Sequence, residues 1–148
     1  MEISFVGLEG FEIAQGRWRR ARREIGDFSA LHRVAGHSLV DWVDRNFESG
    51  GSLLREFPAG WPPLARTTVV ARRRRGLGLQ PLQATGALRR GVTLAAGRRQ
   101  ATVSDPVAYA ARHQLGLGVP RRPIFPEPAQ IREIILPGIM EQLEGGLP

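Results

Sequence analysis

The sequence predicts an α+β fold with two N-terminal helices, a small antiparallel sheet containing a β-hairpin, long extended loops and a C-terminal helix. Apolar residues recur at helical spacing across Asp27–Glu48. Two runs of strand-like composition, 92–96 and 100–104, flank a turn at Gly97-Arg-Arg99. With 148 residues, the chain (1–148) is expected to form a single domain.

The N-terminal part is predicted to contain one strand and both N-terminal helices. Ile3 and Phe5 alternate with polar residues in Met1–Gly7, which indicates a short strand. Leu8–Ile25 is predicted to be a helix with five arginines in its second half, where cations suit the helix dipole. The apolar stripe of the second helix, Asp27–Glu48, comprises Phe28, Leu31, Ala35, Leu39, Trp42, Val43 and Phe47.

The middle of the chain, residues 53–91, is predicted to be a long loop or arm within the domain. Prolines and glycines interrupt it repeatedly, and a short helix over Leu64–Arg74 is the one regular element expected there. Loops this long in a small domain are usually functional or mobile. The interrupting residues include Pro58, Gly60, Pro62, Pro63, Gly76 and Gly78.

The last third is predicted to return to regular structure. After the hairpin, Pro106 opens a short helix that ends near Leu115, because proline is tolerated in a first helical turn. The proline-rich stretch Gly116–Pro128 is expected to be extended. Residues 129–148 are predicted to be an amphipathic helix that Pro137-Gly138 should kink or split.

The composition excludes several classes of function. The chain has no cysteine, so it has no disulfide, thiol nucleophile or cysteine-ligated zinc. All 21 basic residues are arginine, which excludes a phosphate-binding Walker lysine and a Schiff-base lysine. No apolar run could cross a membrane and no export signal is evident, so we expect a soluble protein that is made in the cytoplasm.

The remaining chemical candidates favour a protein that is not an enzyme and needs no metal or cofactor. His32 and His37 are five residues apart and would point in different directions on a helix, and His113 is isolated. Asp41, Asp44 and Glu48 are spaced as a solvated helix face. No serine lies in a nucleophile motif, and the glycine pairs lack a dinucleotide-binding fingerprint.

The net charge of +7 has two explanations that the sequence leaves open. It reflects either a binding surface or a GC-rich codon usage that favours arginine. The run Arg72-Arg-Arg-Arg75 sharpens the question, because adjacent guanidinium groups require water or an anionic partner. Such a partner would be nucleic-acid phosphate, contacted without sequence preference, or an acidic neighbouring subunit.

Five motifs in one order resemble the phage virion morphogenesis family, between about residue 40 and residue 126. The resemblance implies a structural virion protein at the neck of a tailed phage, that is, a tail completion protein or tail terminator in the head–tail connector. It further implies a homo-oligomeric ring, expected to be a hexamer, that contacts neck proteins and tail tube or sheath proteins during virion assembly, with DNA in its channel. The motifs are Arg45-Asn-Phe47, Gly60-Trp-Pro-Pro-Leu64, Leu82–Arg89, Tyr109–Gly116 and Pro120–Phe125.

Aromatic residues and arginines within these motifs are the types that anchor interfaces. Tyr109 and His113 are four residues apart, so they should share a helix face and pack on the hairpin. Two alternatives stay open: the proline-rich strip packs on its own domain, or the chain is a sequence-nonspecific DNA-binding protein that uses its arginines. The candidate interface residues are Trp61, Leu64, Leu88, Arg89, Tyr109, His113, Arg121, Arg122 and Phe125, and the candidate DNA or acidic-partner contacts are Arg72, Arg73, Arg74 and Arg75.

Overall fold

A computed structural model describes residues 28–145 and the backbone of residues 2–6. Its α+β architecture agrees with the sequence prediction. The first predicted helix, Leu8–Ile25, lies outside the described residues. The elements are β1 (Glu2–Val6), α1 (Ser29–Glu48), α2 (Arg66–Arg74), α3 (Ala87–Gly91), β2 (Thr93–Ala96), β3 (Gln100–Ser104), α4 (Ala110–Leu115) and α5 (Pro128–Glu144).

The long helix α1 is the centre of the fold. Its apolar stripe is buried as the spacing predicts, and only Phe28, just before the helix begins, is partly exposed. The helix ends where Gly50 and Gly51 adopt positive φ angles of 65° and 90°, and the Gly51 amide donates to the carbonyl of Asn46 at 2.8 Å. Glycine suits this ending because other residues are strained at positive φ.

The sheet has three antiparallel strands in the order β1-β3-β2, so the predicted hairpin and the predicted N-terminal strand form one layer. Ala101 and Val103 on the central strand are buried. Helix α1 crosses this layer closely, because a Cβ atom at Gly36 would overlap the side chain of Leu94. The absence of a side chain at Gly36 therefore brings helix and sheet together.

The C-terminal helix differs from its prediction. Helix α5 continues through Pro137 without a break. Pro137 lies on the exposed side, whereas Ile135 and Ile139 are buried. A Cβ atom at Gly138 would lie 2.9 Å from Ser38 Oγ of α1. Packing along this face offsets the single backbone hydrogen bond that proline removes, so the predicted split does not occur.

Two further boundaries correct the prediction. Helix α4 begins at Ala110, not at Pro106, because the Asp105 carboxylate accepts the Val107 amide at 2.9 Å and holds a turn there. Residues 53–91 contain the additional short helix α3, and several of their side chains are buried in the core. These buried side chains are Leu54, Trp61, Leu82 and Leu88.

Candidate interaction surface

Two proline-rich strips lie side by side next to the C-terminal end of α1. Trp61 of the first strip, residues 58–63, is buried, and its Nε1 donates to the carbonyl of Pro123 at 2.9 Å. Arg122 of the second strip, residues 116–128, donates from Nε to Pro62 O at 2.8 Å and from Nη2 to Pro63 O at 2.9 Å. Side-chain donors thus join two strips that form no sheet with each other.

Gln114 of α4 supports the second strip in the same way. Its Oε1 accepts the amides of Ile124 at 2.8 Å and Phe125 at 3.0 Å, and its Nε2 donates to Phe125 O at 3.1 Å. Buried backbone groups need such partners when they lie outside regular structure. Sequence reasoning missed Gln114; the signal was an extended buried strip beside a helix that carries one amide side chain.

Four of the predicted interface residues are occupied by contacts within their own chain. Leu88 and Phe125 lie in the core, Trp61 packs edge-on against Phe47 with ring centroids 5.5 Å apart, and Arg122 is 5% exposed. A partner has no access to side chains buried this deeply. For Arg122 and Phe125 this burial fits the alternative that the strip packs on its own domain, and Trp61 and Leu88 are likewise part of the core.

The other predicted interface residues remain accessible. Tyr109 is exposed and lies edge-on to His113 with ring centroids 6.2 Å apart, as their spacing predicts. Arg121 is exposed, pairs with Glu56, and lies 5.8 Å from the ring centre of Phe57. Leu64 and Arg89 are half-buried. For these residues the interface hypothesis stays a prediction.

Arg89 binds the acidic face of α1. Its Nε and Nη2 atoms donate to the two carboxylate oxygens of Asp44 at 2.5 and 2.8 Å, and Nη2 also contacts Glu48 at 2.9 Å. The hydrogen bonds from Arg89 hold the pKa of Asp44 below its usual value. Asp44 and Glu48, two of the three acids on this face, therefore bind α3 through Arg89. A helical-wheel argument could not reveal this contact.

Beside this ion pair lies an open groove of about 510 Å³. We call it the valine groove. Its apolar lining comes from Val40 and Val43 of α1 and from Val92, just before β2. Its charged lining is Asp41, Asp44, Arg45 and Arg89.

Helix α4 ends in a turn that holds two leucines outward. Leu115 and Leu117 are 62% and 56% exposed. The backbone there is fixed by positive φ angles at Gly116 and Gly118, and the Leu117 amide donates to Arg112 O at 2.9 Å. We call residues 115–118 the leucine turn. Both leucines are therefore held at the surface by a backbone of defined conformation.

The arginine run divides into two parts. Arg72 turns back, and its Nη1 donates to Gly78 O and Gln80 O, both at 2.9 Å. Arg73, Arg74 and Arg75 are exposed at the end of α2, among the described residues without an acidic partner. Three guanidinium groups are thus available to an anionic partner.

Charge is distributed unevenly along the chain. Residues 57–126 hold 12 arginines and a single acid, Asp105, for a formal charge of +11. The other segments hold 9 arginines and 13 acids, for −4, which together give the net +7. Asp105 is buried. Codon usage that favours arginine would act along the whole chain, so by itself it does not account for the scarcity of acids in residues 57–126.

His113 lies near the charges of Arg122 and Arg72 where α4 faces the second strip. Burial lowers the pKa of His113, and the positive charges of Arg122 and Arg72 lower it further. Among the described residues no carboxylate pairs with Arg122. Burial and the neighbouring guanidinium charges therefore both favour the neutral form of His113 by lowering its pKa.

A sequence model of the phage virion morphogenesis family matches residues 12–137. The chain belongs to this family. The match includes every helix described here except the end of α5 and confirms the resemblance found in the five motifs. Membership assigns the protein to the building of a bacteriophage virion. Neither the curated proteins nor the solved structures include a significant match.

The family assignment agrees with a surface built for contact. Within residues 2–6 and 28–145, no three metal-binding side chains cluster, and no helix is long and apolar enough to cross a membrane. The features that stand out are the leucine turn, the valine groove and the exposed arginines of α2.

Proposed function

We propose that this virion morphogenesis protein is a tail completion protein or tail terminator that acts at the head–tail junction. It closes the tail by assembling into a ring, with six copies as the expected number. Its partners are copies of itself, neighbouring neck proteins, and tail tube or sheath proteins. The role is structural and involves no catalysis or cofactor.

The observation that carries this proposal is the uneven charge within a family of virion-building proteins. A ring around a DNA channel presents one surface to a polyanion and other surfaces to protein neighbours. Residues 57–126, with a formal charge of +11, suit contact with DNA or with an acidic neighbour. The exposed leucine turn suits contact with a protein neighbour. No residue in this account has to make or break a bond.

Light scattering of purified protein at increasing concentration tests the ring. A hexamer has a mass of about 98 kDa, six times 16.3 kDa. Gold-labelled antibody on intact virions tests the location, and the label is expected at the neck. A chain that stays monomeric at every concentration contradicts the ring, and label along the tail shaft or on the capsid contradicts the location.

A second function, sequence-nonspecific DNA binding, is favoured by the exposed Arg73, Arg74 and Arg75. Each phosphate contact contributes about 0.9 to the slope of log affinity against log salt concentration. Replacing all three by glutamine is therefore expected to reduce that slope by about 3. Affinity for duplex DNA is measured from 50 to 200 mM salt, a range over which several such contacts lose orders of magnitude.

The matched control removes three arginines from other helices, Arg33, Arg45 and Arg132, with the same change of charge. If the salt-dependence slope fell equally in the control variant, net charge alone would account for the binding of DNA. Tight, salt-sensitive binding by a monomer would favour the DNA-binding protein over the ring subunit.

A further inference from the structure

The leucine turn and the valine groove are surface features of the described residues whose occupants the proposed function leaves unspecified. On the basis of the ring proposed above, we propose that the leucine turn of one copy docks into the valine groove of the next copy. The contact is head-to-tail: each subunit contributes its turn to one neighbour and its groove to the other.

The leucine turn has the properties of an inserting element. Leu115 and Leu117 project from a backbone held at both ends, since the Leu117 amide donates to Arg112 O and the Arg122 amide donates to His113 O at 2.8 Å. A side chain presented by an ordered turn loses little conformational entropy on docking. Tyr109, which immediately precedes this helix, is also exposed.

The valine groove has the properties of a receptor. Its volume of about 510 Å³ falls within the range of roughly 300–1,000 Å³ that is usual for binding pockets. Val40 and Val92, both half-buried, form its accessible apolar lining, and the charged rim includes Asp41, which is exposed and has no ion-pair partner among the described residues. Apolar centres with charged rims are typical of specific protein contacts.

Geometry and charge favour a second copy as the occupant. A closed ring requires a contact between two different patches of the same chain. The turn and the groove share no residue. The charged lining of the groove is balanced, with Asp41 and Asp44 against Arg45 and Arg89. Asp41 on the rim is exposed and has no ion-pair partner among the described residues, and Arg112 beside the turn is exposed. These two opposite charges meet when the copies dock head-to-tail.

Engineered cysteines give a direct test, because the native chain has none. The double variant Leu117→Cys with Val40→Cys is oxidised at the concentration where the native chain oligomerises. Head-to-tail docking predicts a ladder of covalent species beyond the dimer. Each single variant should stay monomeric on a denaturing gel, and so should the control pair Leu117→Cys with Arg99→Cys. A ladder that stops at the dimer, or an equal ladder in the control pair, overturns the proposal.

A charge variant gives an independent readout. Leu115→Asp with Leu117→Asp should reduce the light-scattering mass to that of a monomer while the thermal unfolding midpoint stays unchanged, because both side chains are exposed. The control Leu79→Asp, also at an exposed leucine, should still assemble. A ring that survives the double aspartate variant overturns this interface and leaves the proposed ring standing. A native chain that never oligomerises contradicts both.

Discussion

Replacing Trp61 with alanine is expected to lower the free energy of unfolding by about 3–5 kcal/mol, the usual cost of removing a buried tryptophan. Its indole ring is 5% exposed, packs edge-on to Phe47 and donates to Pro123 O at 2.9 Å. It also lies over Gly51, where an added Cβ atom would come within 2.5 Å of the ring. The substitution opens a cavity and removes the link between the two proline-rich strips.

Urea unfolding measures this effect. Trp61→Phe should cost less, because it keeps much of the packing and loses the hydrogen bond, which is worth about 1 kcal/mol. Tyr109→Ala, at an exposed aromatic of the same set of candidates, should change the stability by no more than about 0.5 kcal/mol. If Trp61→Ala unfolded like the native chain and disrupted oligomers instead, Trp61 would be an interface anchor and its assignment to the core would be wrong.

Trp61 and Tyr109 illustrate what the sequence can and cannot predict. Both are aromatic residues in family motifs near proline or glycine, and composition ranks them equally as interface anchors. Their burial differs because residues 58–63 fold back against the end of α1, a long-range contact with no local signature. The periodic part of the fold, α1 and the hairpin, was predictable because it depends on spacing within one segment.

Other misses have a similar cause. Helix α3 has only five residues and begins after Gly86 in a left-handed conformation, so no apolar period marks it. Pro137 appeared to end a helix, because the packing of Gly138 against Ser38 is visible only in three dimensions. The valine groove joins α1 to residues about 50 positions away along the chain. The side-chain contact that sequence reasoning did predict, between Tyr109 and His113, joins residues only four positions apart.

Ion pairs of Arg89 connect the arginine-rich residues 57–126 to the acidic face of α1. Arg89 is one of the 12 arginines in residues 57–126, and the acids that bind it, Asp44 and Glu48, lie in α1. An intramolecular contact of this kind attaches the cationic segment to the acidic helix. Because the segment carries 11 more positive than negative charges, most of its arginines cannot be neutralised within the segment. Among these arginines, Arg73, Arg74 and Arg75 are exposed and have no acidic partner in the part of the chain that the structure describes.

Replacing Arg122 is expected to have the second large effect. Arg122→Gln removes the fork that donates to Pro62 O and Pro63 O. Hydrogen bonds to a charged donor contribute about 1.5–3 kcal/mol each, so a loss of about 3 kcal/mol in unfolding free energy is expected. Glutamine is too short to reproduce the fork. The matched control is Arg112→Gln, which removes an exposed charge from α4 and should be nearly neutral.

The pKa of His113 gives a second readout of the Arg122→Gln substitution, separate from the free energy of unfolding. Its pKa lies below the ordinary value of 6.5, first because of burial and then because of the Arg122 and Arg72 charges. Since the unfolded chain takes up this proton more readily, native stability should decline as the pH falls through about 6.5. Removing the Arg122 charge should raise the pKa of His113, followed by NMR, and weaken that decline. Equal shifts in Arg122→Gln and Arg112→Gln would show that Arg122 exerts no specific field on His113, and the account of this buried arginine would fail.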